Sequence, residues 1–216
     1  VELGYTVETE ANQYIPFSLD EVNLDYQELG PLANNPEEVE VVIAASKKEK
    51  VEDRVAAAES AGLKAIVMDV ESYATQNAFE LIQLQQLRAQ SAGQIVAIVD
   101  VGASMLHITV MRDDQQLYFR EQAFAGFQLT QDIQRQYNLS YEEAEAAKRT
   151  GQGLDSDFEE VVLRPYMENL ALEISRGLQF FFTSTHFNKI DHLVLAGGGS
   201  VLAGLDEIVA NRTQVA

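Results

Sequence analysis

Cysteine is absent from the 216 residues. That excludes disulfides and thiolate metal sites and points to a reducing compartment. Basic residues are scarce: 15 Lys and Arg stand against 34 Asp and Glu, for a net charge of -19. Such a chain repels nucleic-acid phosphate and anionic lipid, and no basic run offers a local exception. No nucleic acid is therefore expected as a partner, and a membrane only indirectly, through other proteins. No stretch reaches the ~18–20 apolar residues of a membrane span. No signal-peptide pattern is expected in this stretch, and it does not open with methionine. The opening "VELGYTVETE" reads as the inside of a helix, so a fragment cut at both ends is expected. Chemical signatures are missing too. There is no G-x-x-x-x-G-K-[ST] phosphate loop and no G-x-S-x-G elbow. His107, His186 and His192 show no metal spacing. What is present is 46% hydrophobic residues, enough for a sizeable core in one large domain or two small ones.

"EVNLDYQEL" alternates Val22, Leu24 and Tyr26 with Asn23, Asp25 and Gln27, the pattern of a half-buried strand. "NNPEE" reads as a turn and "VEVVIAA" as a more buried strand. Ser46 and Glu49 have capping-box spacing and predict a helix to about residue 61, ended by Gly62. "KAIVMDV" reads as a returning strand, which would make a strand–helix–strand crossover. A long helix is predicted over about 72–89, and "RAQSAGQ" is the best candidate boundary. From Gln94 the pattern changes. "QIVAIVDVG", "SMLHITVMR" and "QQLYFREQAF" are strand-like runs with very short turns, an antiparallel meander. "FQLTQDIQRQYN" is a short helix. Ser140 and Glu143 form a second capping box before "YEEAEAAKR", which stops at Gly151. Ser156 and Glu159 suggest a third, opening the longest helix with a stripe of Leu163, Met167, Leu170, Ile174, Leu178 and Phe181. "DHLVLA", three glycines and a last helix from about Val201 follow.

Four stretches carry candidate chemistry, each beside a plainer reading. In "IVDVGAS" a buried strand ends in Asp100, and Gly102, Ala103 and Ser104 turn into the next strand. A carboxylate there can hold a divalent ion through water, and small residues let backbone N–H groups approach phosphate. An ordinary hairpin uses the same residues. In "LAGGGS", Gly197, Gly198, Gly199 and Ser200 stand between a strand and a helix, where anions gather; a close-packed turn is the alternative. It is not the dinucleotide fingerprint, because Leu202 occupies the place of its third glycine. In "AEAAK", Glu145 and Lys148 share a helix face, as ligands or as a solvated ion pair. In "MDVESYA", Glu71 either orients a water for attack on a phosphate or favours the positive end of a helix.

The order of these pieces resembles the second half of the actin-like ATPases, which include FtsA, MreB, actin, the heat-shock 70 chaperones and sugar kinases. The resemblance implies an α/β, actin-like (ribonuclease H-like) two-lobed fold with ATP or ADP and Mg2+ in the interlobe cleft. Asp100, Gly102, Ala103 and Ser104 would meet phosphate, with Asp100 reaching Mg2+ indirectly. Gly197, Gly198, Gly199 and Ser200 would meet adenosine and phosphate, and Glu145 with Lys148 would flank the nucleoside. Glu71 would position water, although Ser72 stands where FtsA and MreB carry proline.

"EANQYIPFSLDEVNLDYQELG", "AASKKEKVEDRVAAAESAGLKAIVMDVESYATQNAF" and "VDVGASMLHITVMRD" are similar to the type IV pilus assembly PilM family, relatives of FtsA, over essentially the whole chain. Three regions are implied. Residues 1–63 would be a partial FtsA-like insertion (partner-binding) subdomain, 64–92 the remainder of the first lobe, and 93–216 the second lobe. The implied role is a cytoplasmic scaffold, peripheral to the inner membrane, that binds the N-terminal cytoplasmic peptide of PilN and further pilus assembly components. Weak or absent hydrolysis is implied. A small-molecule kinase or phosphatase of the superfamily and a filament-forming ATPase stand as alternatives. The chain departs from the family in two places. No "GIDIGS"-like phosphate motif precedes residue 95, which leaves the fold truncated at its N-terminus, and the closing strand and helix are short or missing.

Overall fold

The computed structural model describes residues 2–32, 34–86, 93–113 and 115–215. They divide into two units, Val1–Ala74 and Thr75–Ala216, and each is described by itself.

In the first unit, α1 (Glu2–Tyr14) precedes an antiparallel hairpin of β1 (Val22–Leu32) and β2 (Asn35–Lys47). Helix α2 (Lys48–Ser60) follows directly. Val7 and Ala11 of α1 and Val22 of β1 are buried, a small core that leaves much of the hairpin exposed. Both strands are longer than expected. β2 starts at Asn35, so most of "NNPEE" is ladder rather than turn. At its other end β2 runs through Lys47, with Asn23 opposite Ser46 and Val22 opposite Lys47. Ser46 is thereby held in the ladder. The capping box expected there does not form, and the helix starts at Lys48 without a side-chain cap.

The largest departure concerns 64–70. This run forms no strand, and Ile66 and Val67 are 86% and 79% exposed. A strand must satisfy its backbone groups on a neighbour, and no strand among the described residues lies alongside. The crossover unit is therefore not formed. Helix α3 (Glu71–Gln86) follows as expected; the remainder of the predicted helix and most of "RAQSAGQ" lie outside the described residues.

The second unit is built on a four-stranded sheet in the order β5-β4-β3-β6. β3 (Ile95–Val101), β4 (Leu106–Arg112) and β5 (Gln115–Gln122) form the expected meander. β6 (His192–Ala196) lies parallel to β3, with Asp100 opposite Ala196. Asp191 sets that register: it exchanges hydrogen bonds with Ile95, through its backbone N–H at 2.7 Å and its carboxylate at 2.8 Å. The Lys189 ammonium, then the Ile95 N–H, hold this carboxyl below its ordinary range.

One sheet face carries Ala97, Val99, Val101, Leu106, Ile108 and Val110 into the main core. The other carries Val96, Ile98 and Met111 against Phe79 of α3. Helix α4 (Gly126–Tyr137) and α5 (Tyr141–Thr150) come next, α5 with the full Ser140–Glu143 capping box and Gly151 at its left-handed end. The third box, at Ser156, does not form. Backbone turns on the Asp155 and Asp157 carbonyls lead into a π-turn over Glu159–Leu163. Helix α6 (Arg164–Ser184) then buries Met167, Leu170, Ile174, Leu178 and Phe181 against the sheet, the stripe read from the sequence. Its Gly177 allows this approach: a Cβ there would lie 2.2 Å from Ile108 Cδ1. After β6 a 3₁₀ turn (Gly198–Val201) precedes α7 (Leu205–Thr213), so the last helix starts later than predicted, beyond Gly204 at φ +79°.

Candidate functional site

The site is assembled from two turns and two helices of the second unit. The first turn, 102–105, links β3 to β4. Gly102 N–H donates to the Met105 carbonyl at 3.1 Å, and a Cβ on Gly102 would meet that oxygen at 2.9 Å. The start of α4 clamps the turn from outside: Gly126 N–H donates to Gly102 O at 3.1 Å and Phe127 N–H to Ala103 O at 2.6 Å. The carbonyls are thus taken, while the N–H groups of Ala103 and Ser104 donate to no partner among the described residues. Adjacent free N–H groups on small residues form an anion-binding concavity.

The second turn is the glycine run, whose residues have different tasks. Gly197 has φ +79°, and a Cβ there would lie 2.1 Å from Asp100 Oδ1 and 2.6 Å from Val101 O. A Cβ on Gly199 would strike Val101 Cγ1 at 2.3 Å. Both glycines let the turn lie on β3. Only Gly198 has nothing within 4 Å of its Cβ position. Ser200 closes the turn, donating from its N–H (3.2 Å) and hydroxyl (2.8 Å) to Gly197 O.

Glu145 and Lys148 form the third part. Lys148 Nζ donates to Glu145 Oε1 at 2.5 Å, Thr130 Oγ1 at 2.7 Å and Gly126 O at 3.3 Å. Thr130 in turn donates to Glu145. This network ties α5 to α4. Burial pushes the Glu145 carboxyl up, but the Lys148 and Thr130 hydrogen bonds and the charges of Lys148 and Arg149 outweigh it and hold it below its ordinary range.

These parts enclose a cavity of about 450 Å³ lined by Gly102, Ala103, Glu145, Lys148, Gly198 and Gly199, all expected from the sequence. Asp100, Ser104, Gly197 and Ser200 are not in its wall. Asp100 lies beside Gly197, and Ser104 is exposed on the turn. Glu71 belongs to the first unit, as the exposed first residue of α3, where the helix dipole favours a carboxylate. Gly126, Leu129, Arg149, Tyr166, Val201 and Leu202 complete the lining and were not singled out in the sequence. Gly126 had a signal, as a glycine where a strand gives way to a helix. Tyr166 had none: it shares the apolar face of α6, and its hydroxyl is buried without a partner among the described residues. Burial, then the Asp132 charge, push this hydroxyl up to about 12.

A phosphorylated ligand fits this donor set. The wall offers the Ala103 N–H, with that of Ser104 next to it, the Lys148 ammonium held by Glu145, Thr130 and Gly126, and a glycine with open space at its Cβ position. A single strand-end carboxylate beside it, Asp100, suits a Mg2+ that keeps most of its waters.

Comparison with known proteins places the chain. Among solved structures, it is similar to the PilM-PilN type IV pilus biogenesis complex at 31% identity and TM-score 0.77, over 99% of this chain and 60% of that one. The chain thus spans about 60% of the length of that relative. It is also similar to MreB5 of Spiroplasma citri bound to AMPPNP (14% identity, TM-score 0.51, 79% of this chain and 59% of that one). The same protein bound to ADP matches at 15% identity and TM-score 0.50, over 78% and 59%. These likenesses show an α/β, actin-like fold. The model of the family described as type IV pilus assembly protein PilM matches residues 1–216. The chain belongs to the type IV pilus assembly PilM family.

Proposed function

We propose that the chain is the nucleotide-binding part of a cytoplasmic pilus-assembly scaffold, peripheral to the inner membrane, which takes ATP or ADP with Mg2+ in the cavity of its second unit. The observation that carries this is the pair of free N–H groups at Ala103 and Ser104, beside a cavity whose wall also holds Lys148 and the open Gly198. Phosphates meet the two turns, and the nucleoside lies toward Glu145 and Lys148. Asp100 holds Mg2+ through water. Titration calorimetry with Mg·ATP tests this. Gly198→Val and Lys148→Ala are each expected to weaken binding at least tenfold, and unchanged affinity in both overturns the assignment.

The partner is the N-terminal cytoplasmic peptide of PilN, and further pilus components join through it. Support comes from the relative solved in complex with PilN and from a groove of about 520 Å³ within the first unit, lined by Asn23–Asp25 of β1, Val42–Ser46 of β2, and Met68 and Tyr73. Ile43→Asp and Met68→Asp are expected to abolish peptide binding in a fluorescence anisotropy titration. Retained binding in both variants places the peptide elsewhere. Hydrolysis is slow or absent, with Glu71 the carboxylate that would position water; fast turnover lost in Glu71→Ala contradicts the scaffold reading.

A further inference from the structure

The far end of the β1–β2 hairpin stands in water on both faces. From Gln27 to Glu40 every described residue is exposed, apart from half-buried Gly30. A two-stranded ribbon so placed gains little stability from its own packing. Large apolar side chains are nevertheless kept there: Leu29 is 55% exposed, Leu32 38% and Val39 39%. Leu29 is the extra residue of a bulge between Glu28 and Gly30, an irregularity that re-aims a side chain. On β2, Val39 and Val41 alternate with Glu38 and Glu40, so apolar side chains take one face and carboxylates the other. Glu28 lies opposite Val41 and brings a carboxylate to the apolar face as well. The charge is of one sign. Residues 1–46 hold 10 of the 34 Asp and Glu and none of the 15 Lys and Arg. Glu28, Glu37, Glu38 and Glu40 have no ion-pair partner among the described residues. The outer edge of β2 is also open, since β1 is the one strand paired with it among the described residues.

We infer that the distal hairpin, from Glu28 to Glu40, is a docking arm for a basic, apolar segment of a partner protein, apart from the groove assigned above. Charge complementarity selects this occupant. Anionic lipid and nucleic acid are repelled by the carboxylates. The arm of a second copy would bring the same carboxylates and no cation. Lysine or arginine of a partner pairs with Glu28, Glu37, Glu38 and Glu40, while apolar residues between them cover Leu29, Leu32 and Val39. An extended segment also satisfies the open edge of β2 through its backbone. Charge then sets the rate and orientation of encounter, and apolar contact holds the complex.

The test titrates a labelled synthetic peptide of alternating lysine and leucine with the full chain, by fluorescence anisotropy at several sodium chloride concentrations. Binding is expected, and it is expected to weaken as salt rises. Glu38→Lys with Glu40→Lys is expected to weaken it about tenfold or more. Leu29→Ser with Val39→Ser is expected to weaken it about fivefold and to leave its salt dependence unchanged. Two controls locate the effect. Glu159→Lys with Glu160→Lys makes the same charge change at exposed residues of the second unit and is expected to stay within about twofold. Met68→Asp alters the groove and is expected to leave the affinity in place. If the Glu159 and Glu160 pair weakens binding as much as the arm pair, the peptide reads net charge alone and the inference fails. If Met68→Asp weakens it as much, the peptide occupies the groove, and the inference fails too. Amide exchange across residues 34–41 is expected to slow when the peptide is added. Unchanged exchange there, or no binding by the unaltered chain, overturns the docking arm.

Discussion

Three adjacent glycines do not carry one task. Gly197 and Gly199 are required by contact with β3, since a Cβ on either would lie within 2.3 Å of a β3 atom. Gly198 faces open space. Gly197→Ala is expected to cost about 3 kcal/mol or more, from collision and from a strained positive φ. Gly198→Ala is expected to stay within about 0.5 kcal/mol. Urea unfolding of both variants checks this. The sequence leaves ligand approach and a close-packed turn both open for all three glycines, because it shows that a side chain is missing but not which neighbour excludes it. Tyr166 makes the complementary case. With its hydroxyl raised to about 12, the fold favours the neutral form. Its contribution to stability is complete below the ordinary tyrosine value and is lost as pH rises through about 12. Among the 8 tyrosines, one is expected to ionise late in an ultraviolet titration, and this late step is expected to vanish in Tyr166→Phe.

At the scale of elements, the α4–α5 network is sensitive to acid. The folded value of Glu145 lies below its ordinary one, so its stabilisation is present above the usual Glu range and is lost as pH falls through the lowered value. Lys148→Met is expected to remove that dependence and to loosen α5, seen as faster amide exchange across Tyr141–Thr150. Ser140→Ala removes the cap and is expected to cost about 1 kcal/mol. Elements governed by local rules were legible in advance: the meander, the α6 stripe, and the Ser140 box with its closing Gly151. Those governed by a neighbour were not. Ser46 and Ser156 have the same spacing to a glutamate as Ser140 has. But Ser46 is drawn into a long ladder, and the chain near Ser156 closes on backbone carbonyls instead. The run 64–70 has strand composition, but no paired neighbour among the described residues. The candidate site was legible as an order of motifs. The Gly126 contact and Tyr166 arise only when α4, α5 and α6 are brought together.

For the molecule as a whole, a net charge of -19 opposes association, while Leu63, Ile66, Val67, Met68 and Val70, interrupted only by Lys64, Ala65 and Asp69, leave large apolar side chains in water. Charge repulsion is screened by salt and apolar contact is not. Light scattering at rising sodium chloride is therefore expected to show growing self-association. Ile66→Lys with Val67→Lys is expected to abolish it. The β3–β6 pairing has another kind of consequence. The bond from Ile95 to Asp191 spans 96 residues, so one edge of β3 is completed only by chain made much later. At ordinary synthesis rates that interval is roughly 5–20 s. For that time the most buried strand of the unit has an unpaired edge on the ribosome. The order in which residues are made thus sets a window in which the nascent chain must be kept from pairing with the wrong partner.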